Sequence, residues 1–117
     1  MLTLPPSVRV YVWREPIDIR SSFDRLSSLV RENIKEDPLN GHLYVFLNRR
    51  LNALKVLLWD RSGYCIYYKR LEQGVFRLQG ASDGSQKVEL STREFFLFLE
   101  GLELKELKQR KRYFLQK

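Results

Sequence analysis

Two runs of β-favouring residues separated by a short polar turn constrain the fold of this chain more than any other feature. The first run is ALKVLLW (53–59), the second is YCIYYKRL (64–71), and DRSG (60–63) lies between them. Both runs are rich in β-branched or aromatic residues, and the connection places a glycine late in the turn, as β-hairpins often require. The sequence therefore predicts an antiparallel hairpin.

If Trp59 pairs with Tyr64, the register fixes which side chains share a face of the hairpin, although a bulged loop would shift it. One face then has an ordinary core composition, with Leu54, Val56, Leu58, Cys65 and Tyr67. The opposite face, called here the ring-and-cation face, combines aromatic and basic residues, namely Lys55, Leu57, Trp59, Tyr64, Ile66, Tyr68 and Arg70.

The ring-and-cation face has two interpretations. Rings beside lysine and arginine are typical of nucleic-acid surfaces, in which cations contact phosphates and rings stack on exposed bases. Alternatively, a helix buries this face as well, and Lys55 and Arg70 reach solvent only at its edges. Arg49 and Arg50, in the connection that precedes the hairpin, favour the first interpretation.

The remaining chain supplies further strands and two helices. Strands are predicted at residues 8–13, 42–47 and 87–90, with a weaker one at 75–78. One helix starts at Ser21 or Ser22 as N-cap, because apolar residues then recur at helical spacing, at Phe23, Leu26, Val30 and Ile34. Ser91 and Glu94 have capping-box spacing and open a second helix. Its sequence, FFLFLEGL, is apolar on nearly every side, so we expect that helix to be buried.

This order of elements predicts a single α+β domain over residues 1–104. We expect a mostly antiparallel sheet of four to five strands packed against two or three helices, with the helices covering one face of the sheet. A chain of 117 residues with 44% hydrophobic residues is suited to one domain with one modest core.

Positive charge is concentrated at the C-terminus. Residues 105–117 contain six of the 21 basic residues and one of the 14 acidic residues, which leaves 15 basic and 13 acidic residues over 1–104. We interpret 105–117 as a basic helical extension. A balanced body with a basic tail indicates a negatively charged partner, most commonly nucleic acid, although a solvated helix end would have the same composition.

Cysteine content and hydropathy indicate where such a chain resides. Cys65 is the only cysteine, so no intrachain disulfide can form, and a reducing compartment is expected. The N-terminal residues lack the features of a signal peptide, and no apolar run approaches membrane-spanning length. We therefore expect a soluble, cytoplasmic protein that does not bind a membrane.

The chain does not contain a recognisable catalytic constellation. His42 is its only histidine, so neither a zinc site nor a serine–histidine–aspartate triad is expected, and no phosphate-binding loop is present. Four carboxylates could in principle bind Mg²⁺, but each has a local explanation such as a turn or a first helical turn: Asp18, Asp24, Asp60 and Glu72. We expect no enzyme activity, no metal, no cofactor and no small-molecule substrate.

Five segments of the chain, taken in order, resemble a family of bacterial proteins. They are LPPSVRVYV, PIDIRSSFDRL, GHLYVFLNRR, KVLLWDRSGYCIYYKRLEQGVF and ELSTREFFLFLEGL. Together they are similar to the small accessory protein, often called TnpB or Orf2, of the sixty-six group of insertion sequences, which is distinct from the RNA-guided nuclease of the same name. The chain departs from the family pattern at Ser21-Ser22, where Lys-Gly is usual, and after Phe76, where a Trp-Pro pair is usual.

The resemblance implies an accessory role in DNA transposition beside a separate, larger transposase that cuts and joins the DNA. Two hypotheses follow: the protein binds DNA directly, or it is an adaptor that docks on the transposase through its apolar and aromatic surface. On the first hypothesis, the predicted DNA-binding residues are Arg20, Arg49, Arg50, Lys55, Trp59, Tyr68, Lys69, Arg70, Lys108, Arg110, Lys111 and Arg112.

Overall fold

The computed structural model describes residues 4–78 and 84–102, and these residues form one five-stranded sheet with helices packed on it. The strands are β1 (Val10–Trp13), β2 (Leu43–Leu47), β3 (Ala53–Trp59), β4 (Tyr64–Arg70) and β5 (Lys87–Leu90). Their order in the sheet is β4-β3-β2-β1-β5, and only β1 and β2 are parallel neighbours. The predicted α+β class and the mostly antiparallel sheet are confirmed. The predicted extension at 105–117 lies outside the described residues.

The parallel pair exists because a helical crossover joins β1 to β2. Helix α1 (Phe23–Leu29) begins after Ser22, as predicted, although the Ser22 side chain makes no capping hydrogen bond. A π-helical turn, Val30–Ile34, continues α1 and ends at Lys35, which has a left-handed backbone with φ of 65°. Leucine, valine and isoleucine side chains of this crossover are buried on the sheet, at Leu26, Leu29, Val30 and Ile34.

The helices lie on opposite faces of the sheet, so the expectation that they cover one face was wrong. Alternate residues of β1 belong to different buried clusters: Val10 and Val12 pack with helix α2 (Thr92–Glu100), and Tyr11 and Trp13 pack with α1. Every residue of β1 and β2 is buried. Central strands that are apolar on both faces need cover on both, and two helices provide it.

Helix α2 has the capping box that the sequence predicts. The Ser91 hydroxyl accepts a hydrogen bond from the Glu94 amide, and the Glu94 carboxylate accepts one from the Ser91 amide. The expected burial is correct on one side only: Phe95, Phe98 and Leu99 are buried, but the side chain of Leu97 is 60% exposed. The helix is therefore packed on the sheet along one side and presents an apolar residue to solvent on the other.

The strand predicted at 75–78 does not form. Val75 makes only a two-bond bridge with Leu102, and the Phe76 amide donates to the Leu51 carbonyl at 2.7 Å. The Phe76 side chain is completely buried, with its ring centroid 5.7 Å from that of Phe98. Residues 75–76 thus join the end of α2 to the connection between β2 and β3, because Val75 bonds to Leu102 and Phe76 bonds to Leu51.

Candidate nucleic-acid interface

The hairpin has the register that the sequence predicts. Trp59 pairs with Tyr64, and the pairing continues to Ala53 opposite Arg70. The ring-and-cation face is nevertheless covered by the crossover: Leu57 is completely buried, and Tyr64 and Ile66 pack partly against the same cluster as α1. The interpretation that a helix buries this face is correct for its centre. On the opposite face, Leu54 and Val56 are buried as expected, but Cys65 is exposed at the sheet edge.

Lys55 on this face is engaged inside the protein. Its side chain is almost fully buried, and the ammonium donates to the Ser21 carbonyl at 2.7 Å. The same ammonium lies 5.1 Å from the ring centroid of Tyr68, which is 52% exposed. Trp59 is half-buried and meets Tyr64 edge to face at 5.1 Å between centroids. Of the predicted binding residues on this face, Tyr68 and Arg70 are the exposed ones.

Three further predicted cations also have partners within the protein. The Arg20 guanidinium pairs with Asp18 at 2.7 Å, and that of Arg70 pairs with Glu72 at 3.0 Å. Hydrogen bonding from Arg20 is the main cause that lowers the pKa of Asp18 to about 2. The Lys69 ammonium donates to the carbonyl at residue 99, near the end of α2, at 2.6 Å. A phosphate would have to compete with each of these interactions.

The connection between β2 and β3, called here the 48–52 turn, presents Arg49 and Arg50 differently. Both arginines are exposed, and neither forms an ion pair with any residue in the described ranges. The turn is closed by Asn48, whose side-chain oxygen accepts from the amides of Asn52 and Ala53 at 3.1 Å each. The Asn48 amide group donates to the Asn52 side chain at 2.7 Å. These hydrogen bonds hold the backbone that presents the two arginines.

A second segment supports the 48–52 turn from the side. The Leu51 carbonyl accepts from Phe76, and the Asn52 carbonyl accepts from Leu71, each at 2.7 Å. Leu51 itself has a φ of 61°, a left-handed conformation that a branched residue adopts only when its surroundings impose it. Arg77, which follows Phe76, is exposed and has no ion pair among the described residues, and sequence reasoning missed it because only this tertiary interaction brings it near the turn.

The predicted residues therefore fall into separate groups. Arg49 and Arg50 lie at the end of the sheet where β4 finishes with Lys69 and Arg70. Trp59 lies at the other end of β3, about 20 Å away at the usual rise per strand residue. Arg20 lies on the face covered by α1, next to Ser21, whose carbonyl accepts a hydrogen bond from Lys55. Four predicted residues lie outside the described ranges: Lys108, Arg110, Lys111 and Arg112.

Several polar groups away from the 48–52 turn have structural partners. His42 accepts the Arg9 amide at its Nδ1 atom, 3.0 Å away. An open cleft of about 520 Å³ lies between the end of β1 and the start of α1. Of its two carboxylates, that of Glu15 accepts a hydrogen bond from Gln86 and that of Asp18 forms an ion pair with Arg20. Within 4–78 and 84–102, no group of three or more histidine, cysteine and acidic residues could hold a metal ion, and no helix is long and apolar enough to span a membrane.

Sequence comparisons identify the family to which this chain belongs. The family model described as "IS66 Orf2 like protein" matches residues 8–109, so this chain belongs to that family of insertion-sequence accessory proteins. Two proteins of Sinorhizobium fredii are similar over 103 residues: uncharacterized protein y4hO is 34% identical, covering 88% of each chain, and uncharacterized protein y4jC is 32% identical, covering 88% of this chain and 86% of its own. No solved structure matches.

Proposed function

We propose that this accessory protein binds DNA without catalysing its cleavage, alongside a separate transposase, and that the 48–52 turn is its main contact with the phosphate backbone. The observation that supports this proposal is the contrast between bound and free cations. Arg20, Lys55 and Arg70 are occupied by internal partners, whereas Arg49 and Arg50 are exposed without an ion pair in the described ranges.

The 48–52 turn is suited to binding phosphate because the backbone that carries its two arginines is already held in one conformation. Arginine presents a planar fork of donors that binds phosphate oxygens in pairs. A backbone already held by Asn48 and by the amide of Phe76 loses little conformational entropy when the DNA arrives. Phosphate contacts of this kind position a protein on the duplex and depend strongly on salt.

A DNA-binding titration at several salt concentrations tests the proposal. The Arg49→Ala, Arg50→Ala double variant should bind duplex DNA more weakly and reduce the slope of log K against log salt by about two units, roughly one for each phosphate that an arginine no longer neutralises. The matched control is Arg25→Ala with Arg31→Ala, which removes the same charge from exposed positions on the crossover. Equal reductions of affinity in both double variants would mean that net charge, and not the turn, governs binding.

The basic extension has a separate expected role. Truncation after Leu104 removes Lys108, Arg110, Lys111 and Arg112 among its six cations, and should weaken binding to all duplexes alike. The Arg49→Ala, Arg50→Ala variant should instead reduce any preference for element-end DNA over random DNA. Measuring the affinity of each variant for element-end DNA and for random DNA separates the contribution of the extension from that of the 48–52 turn.

Catalysis is tested with the same protein preparation. Purified protein with Mg²⁺ or Mn²⁺ should neither cleave nor join DNA, since cutting and joining belong to the transposase in this proposal. Strand cleavage that disappears on Asp18→Ala or Asp60→Ala would contradict it.

The adaptor function remains the second candidate, and the exposed Leu97 side chain on the outer side of α2 favours it. An adaptor would bind the transposase without affinity for duplex or single-stranded DNA. If the full-length protein shows no DNA binding at moderate salt, a pull-down with the element's transposase becomes the deciding test. Leu97→Ser should then weaken capture, and Arg93→Ala, at an exposed polar position on the same helix, should not.

A further inference from the structure

The two edges of the sheet are unlike each other. Strand β5 forms one edge with only four residues, and its charged side chains at Lys87 and Glu89 pair with Glu36 and Arg9. Strand β4 forms the other edge with seven residues, and no described strand pairs with its outer side. Short, charged edges discourage pairing between chains, whereas a long apolar edge is a template for it.

The register of the hairpin identifies which backbone groups of β4 face outward. The Asp60 amide donates to the Gly63 carbonyl, and the Leu71 amide donates to the Asn52 carbonyl, so the hydrogen-bonded pairs of this ladder are those of odd-numbered β4 residues. Bonded and non-bonded pairs alternate in an antiparallel ladder. The amides and carbonyls of the even-numbered residues therefore point away from β3: those of Tyr64, Ile66, Tyr68 and Arg70.

We propose that β4 is a self-association edge, on which a second copy of this chain pairs antiparallel with its own β4 about a two-fold axis at Tyr67. In this register Tyr64 faces Arg70 of the second copy, and Ile66 faces Tyr68. All the outward amides and carbonyls of both strands are then bonded, and the two sheets become continuous. A two-fold axis makes the contact closed, because the same strand serves on both sides.

The distribution of charge along β4 favours this register over one displaced towards the basic ends of the strands. The strand is aromatic at its start and basic at its end, so antiparallel pairing places Arg70 against the Tyr64 ring. Lys69 faces Cys65, whose thiol lies 3.6 Å from the Asp60 carboxylate. Sliding the strands by four residues towards their basic ends would place Lys69 opposite its own copy, and like charges directly opposite are destabilising.

Sedimentation of the full-length chain over a range of concentrations tests the proposal. The wild-type protein should reach twice the monomer mass. Tyr68→Pro should remain monomeric, because proline removes an outward amide that β3 does not use. Tyr68→Ala is the matched control: it removes the same ring, keeps the amide, and should still dimerise. A monomeric wild-type protein at every concentration, or a Tyr68→Pro variant that dimerises normally, would overturn the proposal.

Disulfide trapping gives a second readout in case Tyr68→Pro fails to fold. In a Cys65→Ser background, Tyr67→Cys places two thiols across the axis at a non-bonded pair, where the separation of Cα atoms, about 4.5 Å, permits a disulfide. Oxidation should give a covalent dimer. Leu97→Cys in the same background should not cross-link, and neither should wild-type Cys65, which lies about 13 Å from its copy in this register.

The trapping result can also contradict the proposal. Cross-linking of Leu97→Cys as readily as Tyr67→Cys would indicate random collision. If the wild-type chain is monomeric and the transposase binds it only when the β4 edge is intact, the occupant of that edge is a different protein, and self-association is wrong.

Discussion

The ring-and-cation face and the 48–52 turn contain the same kind of basic residue but differ in how their charges are satisfied. On the face, Lys55 is buried against the Ser21 carbonyl and the Tyr68 ring, and Arg70 is paired with Glu72. At the turn, Arg49 and Arg50 have no ion pair within the described ranges, and the surrounding hydrogen bonds are made by Asn48 and the backbone. A basic residue that the fold leaves without a partner can contact a ligand without first losing an internal interaction.

This difference shows that aromatic and basic residues that are adjacent in sequence can pack in the core instead of forming a binding surface. A lysine stem is apolar enough to pack between strands and helices while its ammonium finds one acceptor at the edge. A hairpin with this composition therefore contributes mainly to stability, and the shorter, polar connection beside it contributes the exposed charge. The following substitutions test this division, beginning with the largest expected effect.

Leu57→Ala should lower the free energy of unfolding by about 2–5 kcal/mol, the usual cost of removing a fully buried leucine side chain. Leu57, a member of the ring-and-cation face, is completely buried against the crossover. Chemical denaturation monitored by tryptophan fluorescence measures the change, and Leu97→Ala, at an exposed position, is the control. A destabilisation no greater than that of the control would mean that this face is not packed.

Lys55→Ala should cost about 1–3 kcal/mol, the usual penalty for leaving a part-buried hydrogen-bond partner unsatisfied, here the Ser21 carbonyl. Its effect on the salt dependence of DNA binding should be smaller than that of either turn arginine, because its ammonium is already engaged. Denaturation and DNA titration on the same variant provide both values. If the variant has normal stability but a clearly reduced slope of log K against log salt, Lys55 contacts DNA, and the contrast between the ring-and-cation face and the 48–52 turn is wrong.

Asn48→Ala should lower stability by about 1–2 kcal/mol and weaken DNA binding, because it removes three hydrogen bonds that shape the turn. The arginines remain present, so any decrease in affinity reports on their positioning. Asn48→Asp keeps the acceptor for the Asn52 and Ala53 amides and should be closer to wild type in stability. DNA affinity that is unchanged in Asn48→Ala would show that a fixed turn is not required.

The smallest effect concerns Asp18 and Arg20. The pKa of Asp18 is lowered from an ordinary 3.8 to about 2, chiefly by hydrogen bonding from Arg20. The stabilisation by this pair is complete above the ordinary value and is lost as pH falls from about 4 through about 2. Asp18→Asn should therefore flatten the acid limb of the stability curve slightly.

The same carboxylate reports on DNA contact by Arg20. If Arg20 keeps its internal partner, the pKa of Asp18 measured by NMR should be unchanged when DNA is added. A rise of that pKa towards its ordinary value would show that DNA recruits Arg20, and the division between bound and free cations would then be incomplete.

The sequence alone determined the local features of this protein. The hairpin register follows from a four-residue turn and two apolar runs, and the α2 start follows from Ser91 and Glu94, because both depend on residues close together in the chain. The tertiary structure decided the long-range partners of individual residues. Lys55 meets the backbone at Ser21, and Phe76 meets Leu51, across sequence separations that no local pattern encodes. The placement of the helices on opposite faces, and hence the burial of the ring-and-cation face, depends on packing between distant elements, which composition and spacing do not specify.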